Sequence, residues 1–406
     1  MGRAEWNALV AVGAILFVLG LKLASRDDPP PQEADLLPAA AVPAAGTDDA
    51  YPLFLKLNAA FPLTADERAV LTKHFDGKAS SETAVAGYLA RSTETLALFA
   101  ELGRRSTFQD PNYRDLSAVG PATPVPQFFS VVAAAKLSSL QAEALLKKGR
   151  AAEALAQALT IVDAGRAFTR GHQQLIEYLV GLLVTDIGAK RALEIAASGK
   201  VDRARLVAAA AHMSAPSNAA PGLQEALRYQ YLIQKHVLDH LPELAAGNTR
   251  SKYAPRNLMI AASAKGGWYI YMPNRTRALF ADRFRRMITE AGKPCLLAAV
   301  PEQEPLPIGL RPNMVGRILY DIAIPSYQKI FARRCESDFR ETAAAAAAAV
   351  RAYRLDHGRF PASLSELTPG YLATAPVDPF SGGAPLYSAE TGELHSAGKD
   401  SEGKPL

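Results

Sequence analysis

The residues with most chemical potential stand at His236-Val-Leu-Asp-His240, where two imidazoles fall about one helical turn apart on the same face. That spacing suits a metal pair, because neutral imidazole is a zinc ligand. A protease of the zincin kind places Glu directly after the first His as its general base, and this chain has Val237 there. Asp239 lies on another azimuth, which leaves Glu243 as the near acid able to join the pair. His236 and His240 therefore read as surface or half-buried histidines, with a metal-dependent envelope hydrolase as the sharper alternative.

The remaining candidates are fewer. Cys295 and Cys335 are the only cysteines, and an oxidising compartment favours their pairing as a disulfide. Closing that loop would contribute roughly 4 kcal/mol by chain entropy. Trp268, Tyr269 and Tyr271 read as aromatics packed on a helical bundle, and His357 beside Asp356 as a complement to a helix end. No Gly-x-Ser-x-Gly, P-loop or Gly-x-Gly-x-x-Gly element is present, and Lys265-Gly-Gly-Trp-Tyr reads as a loop. The sequence assigns no catalytic residue and no organic cofactor.

A chain of 406 residues, 49% hydrophobic and 21% charged, has enough apolar side chain for a core in one to three domains. Disordered and collagen-like polypeptides are excluded. Two cysteines also exclude a small disulfide framework. From Trp6 to Leu21 no residue is charged, with Arg3 before and Lys22 and Arg26 after. With Lys22 snorkelling to the headgroups, the run is long enough to span a bilayer. Small residues are missing at a clean cleavage position and no lipoprotein Cys follows, so the run reads as an uncleaved signal anchor. The expected location is the inner membrane, single-pass, with the bulk of the chain periplasmic.

Residues 27–50 hold five prolines and six acids without Lys or Arg, and read as an extended, unfolded spacer. Residues 1–26 carry +2 and this spacer −6, so the net +5 of the chain leaves +9 on residues 51–406. The arginines are dispersed through helical segments and not interleaved with aromatics on a strand, so no nucleic-acid partner is expected.

Thr64-Ala-Asp-Glu67 is a capping box at a helix start. Gln127–Lys148 shows one apolar face and ends at Gly149, and a second helix follows to about Thr169, making a hairpin. His172–Ala197 carries apolar residues on more than one face and is expected at the centre of the body, while Glu177 and Asp186 argue against a second membrane span. The likeness of Gly149-Arg-Ala-Ala-Glu-Ala154 to Gly199-Lys-Val-Asp-Arg-Ala204 suggests stacked hairpins, similar to tetratricopeptide arrays but without their period. Further helices are expected near Gly222–Ala246, Thr276–Ala291, Asn313–Ala323 and Ser326–Asp356. The run Ala343–Ala349 has high helix propensity and is expected to offer little for packing or chemistry.

Tyr51-Pro-Leu-Phe54, Gly149–Leu155, Gln174–Gly181 and Pro273–Phe280 together resemble a group of membrane-anchored helical proteins of bacteria, a resemblance that implies architecture and supplies no activity. A second resemblance covers the last residues. Val350–Pro361, Pro376-Val-Asp-Pro-Phe-Ser-Gly382, Pro385-Leu-Tyr387 and Ser396-Ala-Gly-Lys-Asp400 resemble the latter half of a type II secretion pseudopilin. Physically, the helix stops at Gly358, Pro361 prevents its continuation, and a small hairpin pairs Leu386–Ser388 with Glu393–Ser396. The N-terminus departs from that family, because Gly2-Arg-Ala-Glu5 has the wrong residue after Gly and the wrong Glu spacing for its leader. The resemblance also implies calcium in the final loop, where Asp400 and Glu402 are hard oxygen donors; two side chains are few for that ion, and the loop reads as a solvated turn.

The expected fold class is mainly α: a bundle or array of helical hairpins, with an N-terminal transmembrane helix and a small C-terminal α+β pseudopilin-like module. The expected division is 1–26 anchor, 27–50 linker, 51–325 helical body and 326–406 long helix plus tail. Three function classes follow: a non-enzymatic interaction scaffold with protein partners in the envelope, an accessory of a type II secretion or pilus-like system, and the metal-dependent hydrolase.

Overall fold

A computed structural model describes residues 26–38, 48–78, 81–109, 128–172, 174–215, 219–241, 271–295, 312–324, 328–400 and 403–406. The apolar run at 6–21, Glu243, the Lys265–Tyr269 segment and Glu402 lie outside them. The fold is mainly α. In the first part of the chain, α1 (Tyr51–Ala60), α2 (Ala65–Phe75), α3 (Glu82–Arg91) and α4 (Thr93–Leu102) form a small layer. The Thr64 capping box is formed at α2, with the Thr64 amide donating to Glu67 Oε2 at 2.9 Å.

The centre is built from α5 (Phe129–Lys147), α6 (Ala151–Thr169), α7 (Leu175–Ala197) and α8 (Arg203–Met213). Gly149 and Gly199 take φ of +76° and +71°, the left-handed conformation that ends α5 and α7 and starts the return strokes. Both turns lie in one apolar cluster, where Ala142, Ala154, Ala196 and Leu206 meet. Of the described helices, α5 alone is long and apolar enough to cross a membrane, and 56% of that stretch is buried inside the fold. Its apolar residues face α6 and α7.

The remaining helices are α9 (Ala219–Asp239), α10 (Pro273–Ala291), α11 (Met314–Ala323) and the long α12 (Gln328–His357). Contrary to the expectation for the alanine run, α12 uses it as a packing face. Ala344, Ala345, Ala348 and Ala349 are buried against Ala192, Ala196, Ala209 and Ala210 of α7 and α8. Small side chains let the helix backbones approach closely, so the run that carries no chemistry is a seam of the core. The long helix thus packs on the body through this face.

The acidic spacer differs more sharply from its reading. Residues 26–38 lie on α10: Asp27 accepts from the amides of Asn274 and Arg275 at the helix N-terminus, at 2.8 and 3.1 Å. Asp28, Glu33 and Asp35 then pair with Arg275, Arg277 and Arg285, at 2.7, 3.0 and 2.6 Å. Leu36 is buried among Leu223, Phe284 and Tyr231. At the other end, Asp49 accepts from the amides of Tyr51 and Gln109. An acid-rich composition reads as solvated only while its counter-charges are out of view, and here they sit some 240 residues downstream. A short parallel pair, β1 (Phe108–Gln109) and β2 (Gly171–His172), has no mark in the sequence; there the Phe108 ring meets Phe54 edge-on and lies tilted against Phe168.

The tail after Gly358 folds back on the end of α12. Leu364, Leu367, Tyr371 and Leu372 are buried against Val350 and Tyr353. The hairpin is β3 (Leu386–Tyr387) with β4 (Leu394–His395), Leu386 opposite His395. Its hub is the fully buried Asp378, whose carboxylate accepts from the amides of Phe380 and Ala397 at 3.0 and 2.8 Å and from the Ser396 hydroxyl at 3.0 Å. Asp378→Ala would leave these donors buried and unpaired, at a cost of about 2–3 kcal/mol. Amide exchange over 378–398 should accelerate while helices α5–α8 keep their protection; unchanged exchange in the tail would show that Asp378 is not its hub.

Candidate interaction site

The histidine pair lies at the end of α9, His236 half-buried in its last turn and His240 exposed just past it, with ring centroids 4.3 Å apart. His240 Nδ1 is 3.0 Å from the His236 carbonyl, and burial, then the neighbouring His240, pull the His236 pKa down. Asp239 turns away to Lys235 and Arg277, at 2.6 and 3.4 Å. Among the described residues no group of three or more His, Cys, Asp or Glu is placed to hold a metal ion. Asp400 Oδ1 accepts from the Lys404 amide at 2.7 Å, so its carboxylate closes a turn. Cys295 and Cys335 form a disulfide, Cα–Cα 5.8 Å, between the end of α10 and α12. Beside it the buried Arg334 donates to the Ala291 and Lys293 carbonyls, at 2.5 and 3.0 Å. Tyr271 is buried, its hydroxyl 3.4 Å from the Leu238 carbonyl, and desolvation pushes its pKa up. His357 stacks on Tyr353, while Asp356 accepts from Arg203 and the Tyr371 hydroxyl, each at 2.7 Å, and ties tail to body.

The feature the sequence reading did not separate lies on α7. Among the described residues, this central helix is covered by α5, α6, α9 and α12 on every face but one. The uncovered stripe runs Ile176, Leu179, Leu183, Asp186, Lys190, Leu193, at steps of three, four, three, four and three. It forms the floor of a groove. One wall is α2 and α5, with Arg68, Thr72, Phe129, Val132 and Lys136; the other is α12, with Lys329, Ile330, Arg333, Phe339 and Arg340, and Leu394 of β4 and Leu406 border the end near Leu193. Three cavities of about 300, 360 and 440 Å³ follow one another along it and all are bordered by Leu183. Phe129 is 70% exposed, Leu183 45% and Ile176 39%.

The walls are cationic. Arg68, Lys136, Lys190, Lys329, Arg333 and Arg340 line the groove, against one lining acid, Asp186. Arg340 pairs with Asp186, and both Arg340 and Arg333 reach the buried Glu336, at 3.7 and 3.5 Å. Lys136 donates to Thr72 Oγ1 at 3.1 Å over the Phe75 ring, and desolvation pulls its pKa down. Lys190 and Lys329 are exposed, and no acid among the described residues pairs with either.

No family model, curated protein or solved structure matches the chain. The groove is therefore judged by its own chemistry: an apolar floor that gains free energy when covered, between walls that favour anionic groups.

Asp186 makes the groove pH-sensitive. Desolvation, partly offset by Arg340, pushes its pKa up to about 6. A carboxyl raised on folding binds its proton more tightly in the folded state, so its contribution is largest below the unfolded value near pH 4 and is lost as pH rises through about 6. Asp186→Asn should flatten that part of the stability–pH profile, removing a fall of about 2–3 kcal/mol between pH 4 and 6. Urea midpoints across that window measure it, and an unchanged slope would contradict it.

Proposed function

We propose that this protein is a non-enzymatic interaction scaffold of the bacterial envelope, held at the inner membrane by the apolar run at 6–21 and gripping a protein partner in the groove over α7. The supporting observation is the apolar stripe left uncovered on the most central helix, flanked by exposed Phe129. A contiguous apolar surface in a groove is characteristic of an interaction site, since each large side chain covered there contributes roughly 1.5–3 kcal/mol. The anchor is expected in the inner-membrane fraction with the N-terminus retained; a soluble periplasmic form beginning near Arg26 would contradict it.

A second reading makes the chain an accessory of a type II secretion or pilus-like system, with the tail docking to fibre subunits. It is favoured by the ordered loop around Asp378 and by a cleft of about 310 Å³ between tail and body, lined by Met213, Thr342, Leu372 and Val377. A crosslinking pull-down with two variants separates the readings. Partner recovery lost in Leu183→Glu and kept in Val377→Glu, at the exposed rim of the tail cleft, supports the groove, and the reverse pattern supports the tail. The hydrolase reading has His236 and His240 without a third ligand among the described residues.

A further inference from the structure

Resting on the reading of the α7 groove as the docking surface, we infer that its occupant is an acidic amphipathic α-helix of another protein, about five turns long. Three observations lead there. The floor residues recur at alternating steps of three and four from Ile176 to Leu193, the spacing at which one helix presents a seam to a second. A partner helix lying along it would span about 26 Å, or about five turns. Its own apolar residues at the same spacing would meet Ile176, Leu179, Leu183 and Leu193.

The charges select the partner's sign. Lys190 and Lys329 stand exposed without an acid among the described residues, and Arg333 joins them on the same rim. This chain already shows how it satisfies a cationic helix. On α10, the acidic residues 27–35 cover Arg275, Arg277 and Arg285 by direct ion pairs. The α7 groove has the same kind of cationic edge; Arg333 and Arg340 are met there by Glu336 and Asp186, but Lys190 and Lys329 by no acid among the described residues. Lys190 also stands at a seam position, so an acid opposite it would fix the register of the partner.

A second copy of this chain fits less well. The stripe is recessed between α2 and α5 on one side and α12 on the other, and two recessed faces do not meet. A flat anionic bilayer meets the same obstacle, because the floor lies below the rim.

The test uses the full chain in zwitterionic nanodiscs and three probes: a fluorescent 21-residue helix with Leu at the seam positions and Glu beside them, its Lys-for-Glu counterpart, and phosphatidylglycerol vesicles. Anisotropy should show saturable binding of the Glu peptide at least tenfold tighter than the Lys peptide, weakening as salt rises. Both Lys190→Glu/Lys329→Glu and Leu183→Glu should weaken it at least tenfold, with unchanged circular dichroism. All three positions are exposed, so folding is not at stake. Equal binding of both peptides, abolished by Leu183→Glu, would overturn the acidic partner and leave the groove reading standing. Binding of vesicles alone would replace the helix with a membrane surface. Binding of no probe, or binding indifferent to Leu183→Glu, would overturn the inference, and in the second case the groove reading with it.

Discussion

Glu341→Ala should destabilise the fold by about 3–5 kcal/mol, because it strands a buried cation. Arg166, 4% exposed, points its guanidinium into the contact between α6, α8 and α12. There its Nε donates to Glu341 Oε2 at 2.8 Å, while Nη1 and Nη2 donate to the His212 and Met213 carbonyls, each at 3.1 Å. The two carbonyls orient the guanidinium without neutralising it, and the Glu341 carboxylate supplies the opposite charge at this buried position. Replacing both partners by apolar residues, as in Arg166→Met/Glu341→Leu, should recover most of the loss, since the pair's desolvation is then avoided. Burial also raises the Glu341 pKa, so its contribution weakens as pH rises through that value. Denaturant midpoints of the two single variants and the double variant measure the coupling. A Glu341→Ala loss under about 1 kcal/mol would place the pair among ordinary surface bridges.

The other large effect is steric. A Cβ at Gly165 would come within 2.3 Å of Thr185 Oγ1, 2.4 Å of the Thr185 nitrogen and 2.7 Å of the Gly181 carbonyl oxygen. Two of these atoms are α7 backbone, which cannot rotate away. Gly188 of α7 is equally tight against the Val162 nitrogen, at 2.6 Å. The α6–α7 crossing therefore exists only at glycine, and it is the crossing that sets the height of the groove floor. Gly165→Ala should cost about 1–3 kcal/mol, with Gly165→Val at or beyond the upper end. Gly87→Ala in α3, where nothing lies within 4 Å, is the control, expected to stabilise by about 0.5–1 kcal/mol. If Gly165→Val unfolds no more easily than Gly87→Ala, the close crossing is not present in solution.

Local signals were legible and long-range ones were not. The Thr64 capping box, the stops at Gly149 and Gly199, the C-terminal ends of α10 and α11 and the tail hairpin each depend on a few neighbouring residues, and all are found. Residues 27–36 were misread because their partners on α10 are distant in sequence, so their charges looked solvated. Arg166 and Glu341, 175 residues apart, were invisible for the same reason. The groove failed differently. Every residue of the α7 stripe was in plain view, but a helix apolar on most faces carries no mark of which face lacks a neighbour. Only the positions of α5 and α12 show that Ile176 and Leu183 are left uncovered while Val184 and Ile187 are not.

The central claim is that the α7 groove holds a partner helix, and it is met most directly by photo-crosslinking in living cells. A benzophenone amino acid is placed at Leu183 in the groove and, in a second strain, at Leu55 on α1, which is comparably exposed at 49%. The expected result is one discrete adduct from Leu183, with the crosslinked peptide acidic and helical in pattern, lost when Lys190→Glu/Lys329→Glu is added, and no such adduct from Leu55. Equal yields from the two positions, or an adduct from Leu183 indifferent to the lysine substitutions, would contradict it.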